Sequence, residues 1–142
     1  MKGVIVTDLE GTLSDCAHRE RHLKPKMDQD DWHEWNIRLQ WDRINYKMVT
    51  ILCALQPNYD IVLLSSKPER YVQEVDEWLK RIPIDFAAVL LRSEDDMRPS
   101  PEVKEDQLLT IGPKRVYMAF DDRKDVCDMY KKYSIHTFQV MI

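Results

Sequence analysis

The sequence predicts a doubly wound α/β fold: a mainly parallel sheet of five strands with helices on both faces. Three observations carry this. Five short apolar runs read as strands, at residues 2–6, 59–66, 86–92, 115–122 and 136–142. The central runs are continuous rather than alternating, which marks strands buried on both faces. Stretches with helical spacing lie between the runs, and strand–helix alternation builds parallel sheets through right-handed crossovers.

Taken in order, the first run holds Val4, Ile5 and Val6, β-branched and apolar, and stops before Asp8. Ile44, Met48, Ile51 and Leu55 then follow a helical period. "YDIVLLSS" is the second run, bounded by Pro57-Asn58 and Pro68, which punctuate the chain. Val72, Val75, Leu79 and Ile82 give the next helix, and "FAAVLLR" the third run. "RVYMAFDD" is the fourth; Val126, Met129, Tyr130 and Tyr133 repeat the helical theme before "HTFQVMI". Segment 14–43 breaks the alternation. It is polar and holds His18, His22 and His33, three of the four histidines. Trp32, Trp35 and Leu39 sit at i, i+3 and i+7, so a short amphipathic helix is expected there. This segment reads as a small insertion, within one domain of residues 1–142, beside the carboxyl ends of the strands.

Composition narrows the function. The chain has 142 residues, 44% hydrophobic and 32% charged, which suits one soluble globular domain. A formal net charge of −4 disfavours a large duplex footprint, but not recognition of a single strand end. Cys16, Cys53 and Cys127 form no CxxC pair, which suits free thiols in a reducing compartment. No apolar run reaches membrane-spanning length and no signal-peptide core opens the chain. A cytoplasmic protein without a membrane partner is expected. Nothing in the sequence sets its oligomeric state.

In doubly wound folds ligands bind at the carboxyl ends of the strands. Asp8 follows the first strand, with Glu10 and Gly11 next; Asp121 and Asp122 end the fourth. A parallel sheet brings these acids to one side. Taken singly, each also reads as a helix cap. Together they form a costly cluster of like charge. Hard oxygen donors of this kind suit Mg²⁺. Ser65-Ser66-Lys67, at the end of the second strand, offers hydroxyl and N–H donors for an anion. Lys104, near a predicted helix start, can neutralise both the cluster and a phosphate. Ser65 as a turn residue and Lys104 as a solvated charge are the plainer readings of each alone. Arg92 and Arg98 flank an acidic loop, and read either as phosphate or sugar contacts or as surface ion pairs. His18 and Arg19 read as substrate contacts or as surface residues. His18 and His22 are spaced i, i+4 but lack a third zinc ligand. Trp32 and Trp35 read either as a stacking surface for a base or as packing for the insertion.

"DLEGTLSD", Ser65, Lys104 and Asp121-Asp122, in this order, resemble the four motifs of the haloacid dehalogenase (HAD) superfamily of phosphotransferases. The match spans nearly the whole chain. "DCAHRERH", the Trp-rich insertion, "IVLLSSKPE", "LLRSEDDMRPSPEVK" and "AFDDRKDVCDMYKKYSIHTFQV" are similar to the 3′-phosphatase domain of phage-type polynucleotide kinase-phosphatases. No P-loop motif accompanies them. The resemblance implies a Rossmann-like HAD sheet with a minimal cap and a Mg²⁺-dependent phosphomonoesterase. Asp8 would be the nucleophile, forming an aspartyl-phosphate. Glu10 would be general acid and then base. Asp8, Asp122, Asp121 and the Glu10 backbone carbonyl would hold the metal. Ser65 and Lys104 would hold the phosphate, with Ser66, Lys67, Arg19, Arg92 and Arg98 as substrate contacts. The implied substrate is a 3′-phosphate at a single-stranded nucleic-acid end, in nucleic-acid repair. A phosphatase of mononucleotides or small metabolites, and a non-catalytic HAD-fold binding module, are the alternatives. Two departures stand out. Glu10 occupies a position usually held by Asp. Ser66-Lys67 replaces a Gly-Arg pair, which keeps a positive charge but loses the planar guanidinium fork.

Overall fold

Val4, Ile5 and Val6 are each almost fully buried, because their strand runs through the middle of the sheet. The computed structural model describes residues 2–142, so residue 1 of the expected 1–142 domain lies outside it. The strands are β1 (Val4–Thr7), β2 (Ser14–Asp15), β3 (Arg43–Ile44), β4 (Asp60–Pro68), β5 (Phe86–Arg92), β6 (Val116–Asp121) and β7 (His136–Gln139). The helices are α1 (Gln29–Ile37), α2 (Tyr46–Leu55), α3 (Val72–Leu79), α4 (Ser100–Ile111) and α5 (Lys124–Lys132). The main sheet has the order β5-β4-β1-β6-β7, and every neighbouring pair is parallel. The expected doubly wound architecture is the one observed.

Alternation along each strand divides the core in two. Ile5, Ile61 and Leu63 face α2 and α3, packing with Leu52, Val75 and Trp78. Val4, Val6, Val62 and Leu64 face α4 and α5, packing with Leu108, Val126 and Tyr130. Cutting Ile5 or Leu63 to Ala would cost about 2–5 kcal/mol, since both are fully buried. Register then sets the site. Thr7 pairs with both Leu63 and Phe120, so Asp8 leaves β1 level with Asp121 at the end of β6. The Asp8 N–H donates to Phe120 O at 3.0 Å, holding the two strand ends together.

Several boundaries differ from expectation: β1 runs Val4–Thr7 rather than 2–6, α2 starts after Ile44, α3 ends before Ile82, and two strand ends shift further. β4 runs on to Pro68 through an irregular pairing with Arg92 of β5. β7 stops at Gln139, because its partner β6 ends at Asp121. Beyond it the Val140 N–H donates to Asp121 O, while Met141 and Ile142 are exposed.

The segment expected as an insertion, 14–43, leaves and rejoins the body through the antiparallel β2–β3 ribbon, where Asp15 pairs with Arg43. An Asp28/Asp31 capping box starts α1. The expected helical run does not reach Leu39, which is buried in a following 3₁₀ turn. The insertion is tied down. Arg81 donates to Gln40 O at 2.6 Å, and Trp78 Nε1 donates to Asp42 O at 3.2 Å. Among the described residues no helix is long and apolar enough to cross a membrane.

Candidate active site

Carboxylate oxygens of Asp8, Asp121 and Asp122 lie within 4.8 Å of one another at the carboxyl ends of β1 and β6. Asp8 and Asp121 are buried. Lys104, in the second turn of α4, reaches between them. Its Nζ donates to Asp8 Oδ1 at 2.8 Å and to Asp121 Oδ2 at 2.6 Å. Burial alone would lower the Lys104 pKa, but Asp121 and Asp8 hold it well above the ordinary value. Burial raises Asp8 well above the carboxylate range; Asp121 adds to this and Lys104 opposes it. Burial also raises Asp122. Three carboxylates against one ammonium leave two negative charges uncompensated. An all-oxygen donor set with that surplus fits a hard divalent cation. Gly11 has φ +84°, and a Cβ there would run into the Asp122 carboxylate. Glycine is therefore required on both counts.

Glu10 is turned away from this trio. Its Oε2 meets Arg19 at 2.6 Å and Lys67 at 3.3 Å. Burial pushes its pKa up, but Lys67 and Arg19 outweigh burial and hold it below the ordinary value. Glu10 is therefore ionised at neutral pH. Lys67 also donates to Asn36 O at 2.8 Å and Asn36 Oδ1 at 3.0 Å, so α1 and β4 together fix it.

Arg19 corrects the reading of a substrate contact. Its side chain is wholly buried, does not line the cavity, and has its nitrogens engaged within the protein. Nε donates to Asp42 Oδ1 at 2.9 Å, a second nitrogen pairs with Asp42 Oδ2, and a third donates to Trp35 O. The remaining contact is the one to Glu10. Asp42 is the residue that sequence reasoning missed. It is buried, and also takes Ser14 Oγ at 2.7 Å and lies 2.7 Å from His18 Nε2. No motif or spacing marks it. His18 thus faces Asp42. Among the described residues neither His18 nor His22 joins a group of possible metal ligands.

The anion donors surround the same space. Ser65 Oγ accepts from the Lys67 N–H at 3.1 Å, and Ser66 Oγ accepts from Ser100 Oγ at 2.8 Å. Asp8, Glu10, Ser65, Ser66, Lys67, Lys104 and Asp122 line one cavity of about 750 Å³, with Arg92 and Arg98 at its wall. Arg92 donates from Nε to Ser66 O and from Nη1 to the Asp96 and Arg98 carbonyls, so it staples the loop after β5 to the end of β4. Arg98 pairs with Asp96 and Asp106 and remains partly exposed. Asp121 lies beneath the floor, its second oxygen accepting from the Arg123 N–H.

A parallel sheet of this order defines a HAD-type hydrolase fold when it carries acids after β1 and β6, a serine at the end of β4 and a buried lysine on α4. Solved structures agree. A HAD-like hydrolase from Streptococcus pneumoniae matches with TM-score 0.71 at 13% identity, over 99% of this chain and 85% of that one. A HAD family enzyme from Bacteroides thetaiotaomicron, solved as a mutant with magnesium and inorganic phosphate, matches with TM-score 0.61 at 15% identity, over 98% and 94%. The particular family follows from the whole length: the model of the polynucleotide kinase PNKP phosphatase domain matches residues 2–142, and the chain belongs to that family of HAD phosphatases. A chain in the structure of a Pnkp1/Rnl/Hen1 complex is 28% identical, with TM-score 0.77, over 96% of this chain and 45% of that one. The chain therefore spans less than half the length of that relative. No curated protein sequence matches the chain significantly.

Proposed function

We propose that the protein is a Mg²⁺-dependent phosphomonoesterase that removes 3′-phosphates from nucleic-acid ends through an aspartyl-phosphate on Asp8. The observation that carries this is the buried Asp8–Lys104–Asp121 arrangement opening into a wide cleft that the short insertion does not close. The similarity to a chain of an RNA repair complex supports the substrate, and the magnesium and phosphate in the HAD family enzyme support the metal.

The Asp8 carboxylate attacks phosphorus as the ester P–O bond breaks, forming the acyl-phosphate. Lys104, the Ser65 hydroxyl and nearby backbone N–H groups offset charge on the non-bridging oxygens. The leaving alkoxide takes a proton from Glu10. A phosphate dianion docked beside Glu10 raises its pKa and favours the protonated acid this step needs. Glu10, ionised again, then takes a proton from the water that attacks the acyl-phosphate, releasing phosphate and free Asp8. Mg²⁺, held by Asp8, Asp121, Asp122 and the Glu10 carbonyl, would screen the repulsion between nucleophile and phosphate. A screen of 3′-phosphorylated oligonucleotides, nucleoside 3′- and 5′-monophosphates and sugar phosphates tests the reading. The oligonucleotide should have the highest kcat/KM. A preference for mononucleotides or sugar phosphates of more than about tenfold, roughly 1.4 kcal/mol in the transition state, would overturn it.

A further inference from the structure

Trp32 and Trp35 share one helix, yet the structure treats them differently. Trp35 also lines the cleft but is half-buried, with the Arg19 guanidinium 4.7 Å from its ring centre. Of the other tryptophans, Trp41 packs on Arg38, and Trp78 is buried and donates to Asp42 O. Trp32 is 47% exposed, and among the described residues its indole makes no hydrogen bond and stacks on no ring or guanidinium. It lines the cleft that has Asp8 on its floor. Leu23 and Met97, also exposed, line the same cleft. Large apolar side chains left open at a cavity wall mark a surface with a ligand. The chemistry of this ligand is set by the rest of the cleft. The floor suits a phosphate, and Arg98 and Arg123 put polar guanidinium groups on the wall, each already paired with an acid. A planar apolar group attached to a phosphorylated polar group meets all three requirements. That is a nucleotide, with its base on Trp32.

Resting on the phosphatase reading above, we propose that Trp32 is the stacking platform for the base of the nucleotide that carries the scissile phosphate. Stacking is tolerant of base identity, because every base has a π-face. The subsite therefore selects for the presence of a base rather than for its sequence. It explains why the insertion is anchored: a platform must stay at a fixed distance from the reacting phosphate, unlike a lid. The Gln40 and Asp42 carbonyls, held by Arg81 and Trp78, supply that anchoring.

The test compares two oligonucleotides with a 3′-phosphate, one ending in a normal nucleotide and one ending in an abasic sugar. Wild type should prefer the base-bearing end in kcat/KM. Trp32→Ala should reduce that preference by about 5- to 100-fold, the usual worth of one stacked base. Trp32→Phe should restore part of it. Trp41→Ala, exposed but away from the cleft, should leave rate and preference unchanged. Thermal melts of all variants check folding. Equal losses on both ends would make Trp32 a structural residue and overturn the platform, as would an unchanged preference in Trp32→Ala. Both outcomes leave the phosphatase reading standing. If neither oligonucleotide is turned over while a sugar phosphate is, both the platform and the substrate assignment fall.

Discussion

Replacing Arg19 with Met separates two roles that a single arginine after the first motif could play. The side chain is wholly buried and has four partners: two oxygens of Asp42, Glu10 and the Trp35 carbonyl. Met fills similar volume, so the loss is electrostatic rather than a cavity. The Asp42 carboxylate would keep Ser14 and His18 but lose the Arg19 guanidinium. Removing one partner of a buried ion pair costs about 3–5 kcal/mol. With about 2.1 cal/mol/K of unfolding entropy per residue, a 142-residue chain loses roughly 10–17 °C of Tm. Glu10 keeps Lys67 but loses the nearer of the two groups that fix its carboxyl, so its aim at the leaving oxygen suffers. At saturating substrate, kcat on an alkyl 3′-phosphate should fall by about 10²-fold. An aryl phosphate, which leaves without protonation, should lose less in the phosphorylation step. KM should hardly move. Thermal melts and steady-state kinetics on both substrates read this out. A Tm within about 2 °C of wild type, with KM raised and kcat spared, would show that Arg19 reaches substrate and that the buried relay is wrong.

Glu10→Gln should slow alkyl substrates by about 10²-fold or more. With an aryl phosphate the phosphorylated enzyme should accumulate on acid quench, because hydrolysis has lost its base; equal loss on both substrates without an intermediate would remove Glu10 from the chemistry. The cation-free protein should lose stability as pH rises. Burial and Asp121 raise Asp8, so the folded state binds this proton more tightly than the unfolded chain. The loss therefore begins near the ordinary carboxylate value of about 4 and continues through the raised one. Glu10 works the other way: Lys67 and Arg19 overcome burial, so its contribution is present above the ordinary value and disappears as pH falls through the lowered one. Melts in chelator should thus show Tm dropping from mildly acid to neutral pH, and Mg²⁺ should flatten that slope. A chelated Tm that climbs over the same range would contradict the cluster's electrostatics. Gly11→Ala should cost about 1–3 kcal/mol from the positive φ. It should also weaken Mg²⁺ binding by displacing Asp122; unchanged metal affinity by calorimetry would show that the contact relaxes elsewhere.

The sheet was readable because each central strand is a continuous apolar run, and a parallel order then forced Asp8 and Asp121 together. Ser65 and Lys104 taken alone read more plainly as a turn residue and a solvated charge; only their order with the other HAD-like motifs set them in the site. Asp42 was not readable. Its importance comes from meeting Arg19 and His18 across more than twenty residues, and no local pattern encodes such a contact. Arg19 was misplaced because charge in a sequence suggests exposure, whereas here a buried Asp and Glu compensate it. Trp32 and Trp35 look equivalent by spacing, and both line the cleft; the Arg19 guanidinium over one ring of the pair leaves only the other without a stacking partner. The end of β7 was overextended because apolar residues continue past the last available partner in β6.

Covalent capture by Asp8 is tested most directly with a 3′-phosphorylated oligonucleotide bearing radiolabelled phosphate. Wild-type protein is mixed with it in Mg²⁺, quenched in acid within one turnover and digested. Label should appear on the peptide that carries Asp8, disappear under hydroxylamine as an acyl-phosphate does, and be absent from Asp8→Asn and from chelated protein. Full release of labelled phosphate by a folded Asp8→Asn variant, or label on a different residue, would contradict the account.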